Sequence, residues 1–136
     1  MNKIKILIPI YNDWQSVFKL LMNINDTAAT IDSDLSVIII NDASNHKRPL
    51  FTDNLDNLKS IKVINMNGNK GHARCIAVGL KHVNEKKEFN YVIPMDGDGE
   101  DRPEELNLLI NKIKDYPNTV ITANRVKRSE GFIFKF

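Results

Sequence analysis

The chain has 136 residues, 42% of them hydrophobic and 26% charged, with a formal net charge of +2. That length is the size of one domain, spanning 1–136, and that hydrophobic share builds a core and excludes a disordered chain. The near balance of charge gives no electrostatic reason to expect nucleic acid as a partner, the single cysteine, Cys75, excludes an internal disulfide or a cysteine zinc site, and no apolar stretch approaches the ~20 residues that cross a bilayer. One cysteine is compatible with a reducing, cytoplasmic compartment. The opening Met1–Lys5 runs into an apolar segment too short for a signal peptide's core and cleavage site.

Strand-like and helix-like segments alternate. Ile4–Pro9 is a branched apolar run read as the first strand. Asn12 or Asp13 is placed to cap a helix, and Trp14, Val17, Phe18, Leu21 and Met22 recur behind it at helical spacing. Leu35–Ile40 is a second strand, followed by a polar stretch (Ala43–Pro49) and a short helical segment around Leu50–Leu58. Ile61–Ile64 is a third strand, and Asn65–Gly71 a glycine- and asparagine-rich loop. Ala73, Ile76, Ala77, Leu80 and Val83 predict one face of the next helix, with Cys75 inside that pattern as a small buried residue. Tyr91–Met95 is the fourth strand. Pro103 suits a first helical turn, with Leu106, Leu109, Ile110 and Ile113 as the stripe behind it, and Val120–Ala123 is a short fifth strand. This alternation implies right-handed crossovers and a parallel sheet, and the unbroken apolar runs imply strands covered on both faces. Three phenylalanines in the tail, Phe132, Phe134 and Phe136, suit a chain that continues or forms a homo-oligomer.

The chemistry-bearing residues gather where strands end. Tyr91–Met95 runs into Asp96-Gly97-Asp98-Gly99-Glu100-Asp101, four acids in six residues. Clustered carboxylates repel unless a cation pairs with them, and a hard divalent cation commonly brings a phosphate-bearing substrate. An Asp-x-Asp by itself is weak: among eleven aspartates about one match arises by chance, and Asp32-Ser33-Asp34, which precedes a strand, is such a case. An EF-hand reading fails because Asp101 stands where that loop needs glycine and Asn107 where it needs glutamate. A helix-capping acidic turn remains the plain alternative. In a parallel sheet the ends of the first and second strands, Pro9-Ile10-Tyr11-Asn12 and Asn41-Asp42-Ala43-Ser44, share that edge. Asp42 can accept from a base or ribose, or simply make a turn; Tyr11 can flank a base. The loop before the third helix offers backbone N–H groups and Lys70 to an anion, and His72 at that helix start reads as a cap or a packed residue. Arg125 and Arg128, on the same edge, match phosphate in geometry and charge, or form a solvated basic tail.

Taken together these segments resemble glycosyltransferase family 2, of GT-A fold. The resemblance rests on Pro9-Ile10-Tyr11-Asn12, Ile40-Asn41-Asp42-Ala43-Ser44, Asn69-Lys70-Gly71-His72-Ala73 through Gly79, and Met95-Asp96-Gly97-Asp98-Gly99-Glu100-Asp101-Arg102-Pro103-Glu104-Glu105. Ala123-Asn124-Arg125-Val126-Lys127-Arg128 looks like the arginine segment of the branch that glycosylates polyprenyl phosphates. It implies that Pro9, Tyr11, Asn12 and Asp42 line a nucleotide pocket for a UDP- or GDP-sugar. It implies that Asp96, Asp98 and Glu100 hold Mg²⁺ or Mn²⁺, and that Arg125 and Arg128 meet diphosphate or acceptor phosphate. Glu100 departs from the branch's usual glutamine, and Asn41 from an aspartate. The implied reaction is inverting, with a lipid phosphate acceptor at the cytoplasmic membrane surface; for a hydroxyl acceptor, Asp101 is the nearby base. Such enzymes normally extend further, so the expectation is a chain truncated after the nucleotide-binding half. Two alternatives stand beside it: a nucleotide-sugar-binding module without turnover, and a scaffolding α/β domain whose acids only cap turns.

Overall fold

The structure is a computed structural model, and it describes residues 1–98 and 102–122. They fall into two compact units, Met1–Glu104 and a second from Glu105 onward. The first contains β1 (Asn2–Ile10), α1 (Trp14–Ala28), β2 (Ser33–Asn41), β3 (Ser60–Asn65), α2 (His72–Lys86) and β4 (Tyr91–Pro94). Its sheet runs in the order β3-β2-β1-β4, and every pairing is parallel. Register pairs Ile10 with Asn41 and Leu7 with Pro94. The carboxyl ends of β1, β2 and β4 therefore emerge on one edge, as the continuous apolar runs require.

β1 and β2 are the inner strands, and their side chains explain the runs. Ile4, Ile6, Leu7, Ile8, Leu35, Val37, Ile39 and Ile40 are almost wholly buried, each contributing about 1.5–3 kcal/mol of transfer free energy. Alternation sends successive side chains to opposite faces. Leu7, Ile38 and Ile40 pack with Cys75 and Val83 of α2. Ile39 faces Trp14, Phe18 and Leu21 of α1 across a cleft of about 920 Å³.

Four sequence expectations change. On α1, Trp14, Val17 and Leu21 are buried but Met22 is exposed; Leu20 and Ile24 complete the stripe. On α2 the buried face is Cys75, Gly79 and Val83, while Ala73, Ala77 and Leu80 point to solvent. Gly79 is the reason: a Cβ there would meet Leu7 Cδ1 at 3.0 Å and Ile40 Cδ1 at 3.1 Å, so the helix rests on the sheet through the residue that carries no apolar signal. The helix expected around Leu50–Leu58 does not form. Asparagine side chains bond the backbone there in its place: Asn54 Oδ1 accepts from the Asp56 N–H at 2.8 Å, and the buried Asn25 of α1 accepts from the Asn57 N–H at 2.9 Å. Residues Val120–Thr122 are not in a strand, and Ala123 lies outside the described residues.

A 3₁₀ turn (Pro103–Glu105) spans the boundary in the chain, and the second unit contains α3 (Leu106–Asp115). Leu106, Ile110 and Ile113 form its buried stripe, as their spacing predicts, and Leu109 is partly buried. Lys112 and Lys114 in the last turn complement the helix dipole.

Candidate nucleotide site at the carboxyl edge of the sheet

The turn after β4 is set by close packing. Met95 continues the ladder, its N–H donating to the Leu7 carbonyl at 2.8 Å. At Gly97 a Cβ would stand 2.9 Å from Ile10 Cγ2 and 3.3 Å from the Pro9 carbonyl oxygen. Only glycine lets the turn lie against the end of β1, and that contact places Asp96 and Asp98 beside the loop after β1. The two aspartates, with Pro9, Ile10, Tyr11, Asp13, Asp42, His72, Cys75 and Gly97, line a cavity of about 340 Å³.

Asp42 is the buried polar residue of this edge, 5% exposed. Its Oδ1 accepts from the Lys70 N–H at 2.7 Å and its Oδ2 from the Gly71 N–H at 2.9 Å. Its own N–H donates to the Ile10 carbonyl at 2.9 Å. Burial alone would raise its pKa; the N–H groups of Lys70 and Gly71, the Cys75 thiol and the Lys70 charge outweigh burial and hold the carboxyl below its ordinary value. The other half of that contact is the Cys75 thiol, which burial, and then the Asp42 hydrogen bond and charge, push up to about 11. Gly71 takes φ 94°, a left-handed value that a side chain would strain, so the loop can turn into α2 with both N–H groups aimed at Asp42. The anion that the loop before α2 attracts is thus, in part, the chain's own carboxylate.

The expected residues divide into three groups. Pro9, Tyr11, Asp42, Asp96 and Asp98 come together around the cavity. Asn12 and Lys70 do not line it. Asn12, at φ 62°, ties two loops: its Oδ1 accepts from the N–H groups of Asn45 and His46, both at 2.9 Å, and its own N–H donates to Ser44 Oγ at 2.8 Å. Lys70 is exposed and acts through its backbone N–H. Glu100, Asp101, Arg125 and Arg128 lie outside the described residues. Two polar lining residues escaped the sequence reading as site residues, Asp13 and His72. Asp13 read only as a cap, yet as N-cap of α1 it makes no side-chain capping bond. His72 read as a cap or a packed residue; its Nε2 stands 3.5 Å from Asp96 Oδ1.

The donor set suits a hard cation. Asp96 and Asp98 are two carboxylates on one turn at a cavity wall, and Mg²⁺ is commonly held by one or two carboxylates plus substrate phosphates. Among the described residues no three His, Cys, Asp or Glu side chains cluster to hold a metal alone. Substrate phosphate oxygens or waters could complete such a set. Among the described residues no helix is long and apolar enough to cross a membrane.

The chain is similar to known proteins. An uncharacterized glycosyltransferase of Synechocystis sp. is 24% identical over 135 residues, covering 98% of this chain and 41% of that protein. The undecaprenyl-phosphate 4-deoxy-4-formamido-L-arabinose transferase of Klebsiella pneumoniae strain 342 is 25% identical over 134 residues, covering 97% of this chain and 40% of the relative. The chain thus spans about two fifths of the length of the curated relatives it matches. The crystal structure of S. aureus TarS 1-349 in complex with UDP-GlcNAc superposes with a TM-score of 0.61 at 19% identity, over 93% of this chain and 38% of that one. That likeness identifies the parallel α/β sheet as GT-A in fold. The model of "Glycosyl transferase family 2" matches residues 5–135, from β1 through the acidic turn and beyond, and the chain belongs to that family.

Proposed function

We propose that this chain is the nucleotide-sugar-binding part of a metal-dependent, inverting glycosyltransferase whose acceptor is a polyprenyl phosphate. The observation that carries the reading is the single cavity of about 340 Å³ in which the Asp96–Asp98 turn meets Tyr11 and Asp42 at the carboxyl edge of the sheet. In open α/β sheets ligands bind in that crevice. The TarS complex supports UDP over GDP as the first donor nucleotide to try. The transferases of the curated relatives act on undecaprenyl phosphate by name, which supports a lipid phosphate acceptor. On this reading residues 1–136 form one functional domain, and the protein works on the cytoplasmic side, peripheral to the membrane.

Each residue has a distinct job in this scheme. Tyr11, 43% exposed at the cavity mouth, flanks the base. Asp42 holds the loop that delivers His72 to the cavity wall. Asp96 and Asp98, with Glu100, would hold Mg²⁺ or Mn²⁺ against the diphosphate; the ion would supply Lewis-acid neutralisation of charge on the leaving group. Arg125 and Arg128 add fixed positive charge for the leaving diphosphate or the acceptor phosphate. A phosphate acceptor is already anionic and needs no general base; a hydroxyl acceptor would recruit Asp101. The test is a thermal-shift series with UDP and GDP, each with and without Mn²⁺. UDP with Mn²⁺ should stabilise the protein by about 2.7 kcal/mol at a hundredfold excess over the dissociation constant. No shift with either nucleotide would sink the reading.

A further inference from the structure

We infer that His72 is a positioning residue for Asp96, and through it for the divalent cation. The inference rests on the nucleotide-site reading above and adds a residue to it. His72 opens α2, and its imidazole lines the same cavity as Asp96 and Asp98. Its Nε2 stands 3.5 Å from Asp96 Oδ1, with side-chain exposures of 62% for His72 and 37% for Asp96. Three independent constraints bring the two together. The Asp42 carboxylate pins the Lys70 and Gly71 N–H groups and so fixes where α2 begins. The α2 helix is held on the sheet through Gly79. The Asp96 turn is held against β1 through Gly97. An imidazole this close to Oδ1 restricts the carboxylate's rotation and so fixes how Asp96 is presented to a cation. Carboxylate ligands are ordinarily oriented by outer-shell polar partners, and losing one typically lowers metal affinity 10- to 100-fold.

The experiment uses the full chain and measures Mn²⁺ binding at saturating UDP, at one fixed pH, together with the thermal midpoint of the ligand-free protein. His72→Ala should raise the Mn²⁺ dissociation constant by about tenfold or more. Because His72 is exposed, the ligand-free midpoint should stay at the unchanged protein's value. His72→Gln, whose amide N–H reaches about as far as Nε2, should restore most of the affinity. Wild-type Mn²⁺ affinity in His72→Ala would overturn the inference alone. So would an equal loss in His72→Gln, or a loss that tracks a lowered midpoint. If the unchanged protein shows no Mn²⁺-dependent UDP binding, the nucleotide-site reading falls and takes this inference with it.

Discussion

Two cavities of the Met1–Glu104 unit differ in size and character, and the larger is the less informative. The cleft between α1 and the β2–β3 crossover measures about 920 Å³, with walls of Trp14, Phe18, Leu21, Ile39, Phe51 and Val63. It exists because the crossover is irregular and does not cover the sheet as a helix would. Its rings contact one another, Phe18 and Phe51 with centroids 4.6 Å apart, and Arg48 lies 5.6 Å from the Trp14 ring centroid. The cavity at the carboxyl edge measures about 340 Å³ and gathers Asp13, Asp42, His72, Asp96 and Asp98 from four separate segments. Volume and apolar lining mark the edge of a core. Convergence of ionisable groups from distant parts of the chain marks chemistry.

Substitutions test that contrast. The largest effect should come from Asp98→Ala, which removes a proposed ligand at an exposed position. The Mn²⁺-dependent stabilisation by UDP, about 2.7 kcal/mol at a hundredfold excess, should vanish, with ligand-free stability unchanged within about 0.5 kcal/mol. Leu50→Ser, at a 90% exposed side chain beside the apolar cleft, should leave the UDP shift intact. The reverse pattern in thermal midpoints would move the function to the larger cleft.

Gly97→Ala should reduce both stability and nucleotide binding. Its Cβ meets Ile10 Cγ2 at 2.9 Å, and overpacking of this kind costs about 1–3 kcal/mol. Urea denaturation and the UDP shift would report the two losses; a variant with both unchanged would show that the turn is not held by this contact.

Asp42→Asn comes next. An amide can accept from only one of the two N–H groups and must turn its own donor toward the other, a loss of about 1–3 kcal/mol at pH 7. The sign with pH follows from the lowered pKa. The folded value lies below the ordinary 3.8, so the charged carboxylate contributes stability above that pH and loses it as pH falls toward the folded value. The difference in urea midpoint between Asp42→Asn and the unchanged protein should hold above the ordinary 3.8 and narrow as pH falls below it toward the folded value; a gap that widens on acidification contradicts the hydrogen-bond assignment.

The smallest effect belongs to the cleft. Among the described residues, Trp14 Nε1 is buried without a hydrogen-bond partner. Trp14→Phe removes that unsatisfied donor while losing some contact area, and the two terms oppose each other. Stability should change by no more than about 1 kcal/mol, and the UDP shift should not change. A large loss of the UDP shift would couple the two cavities, which the contrast between them excludes.

Much of the edge was legible in the chain. Continuous runs such as Leu35–Ile40 state burial on both faces, hence inner parallel strands, and their ends then share an edge. The Asp96-Gly97-Asp98 turn was legible for the same reason: it follows a strand instead of preceding one. The helix face of α2 was not, because Gly79 has no hydrophobic signature and reveals its role only against Leu7 and Ile40. The crossover helix was over-read because apolar spacing around Leu50–Leu58 says nothing of Asn25, whose side chain captures the Asn57 N–H from another element.

The sequence by itself determined the order of elements, the parallel sheet and the edge on which carboxylates collect, since these follow from local periodicity and from the handedness of strand–helix–strand connections. Only the tertiary structure decided what each side chain does there. Asp42 turned to two backbone N–H groups, Asn12 to the loop after β2, and His72 to Asp96. Such partnerships form between residues far apart in the chain, so no local pattern encodes them. They form when packing brings the segments within reach, and at Asp42 burial makes an unpaired polar group costly.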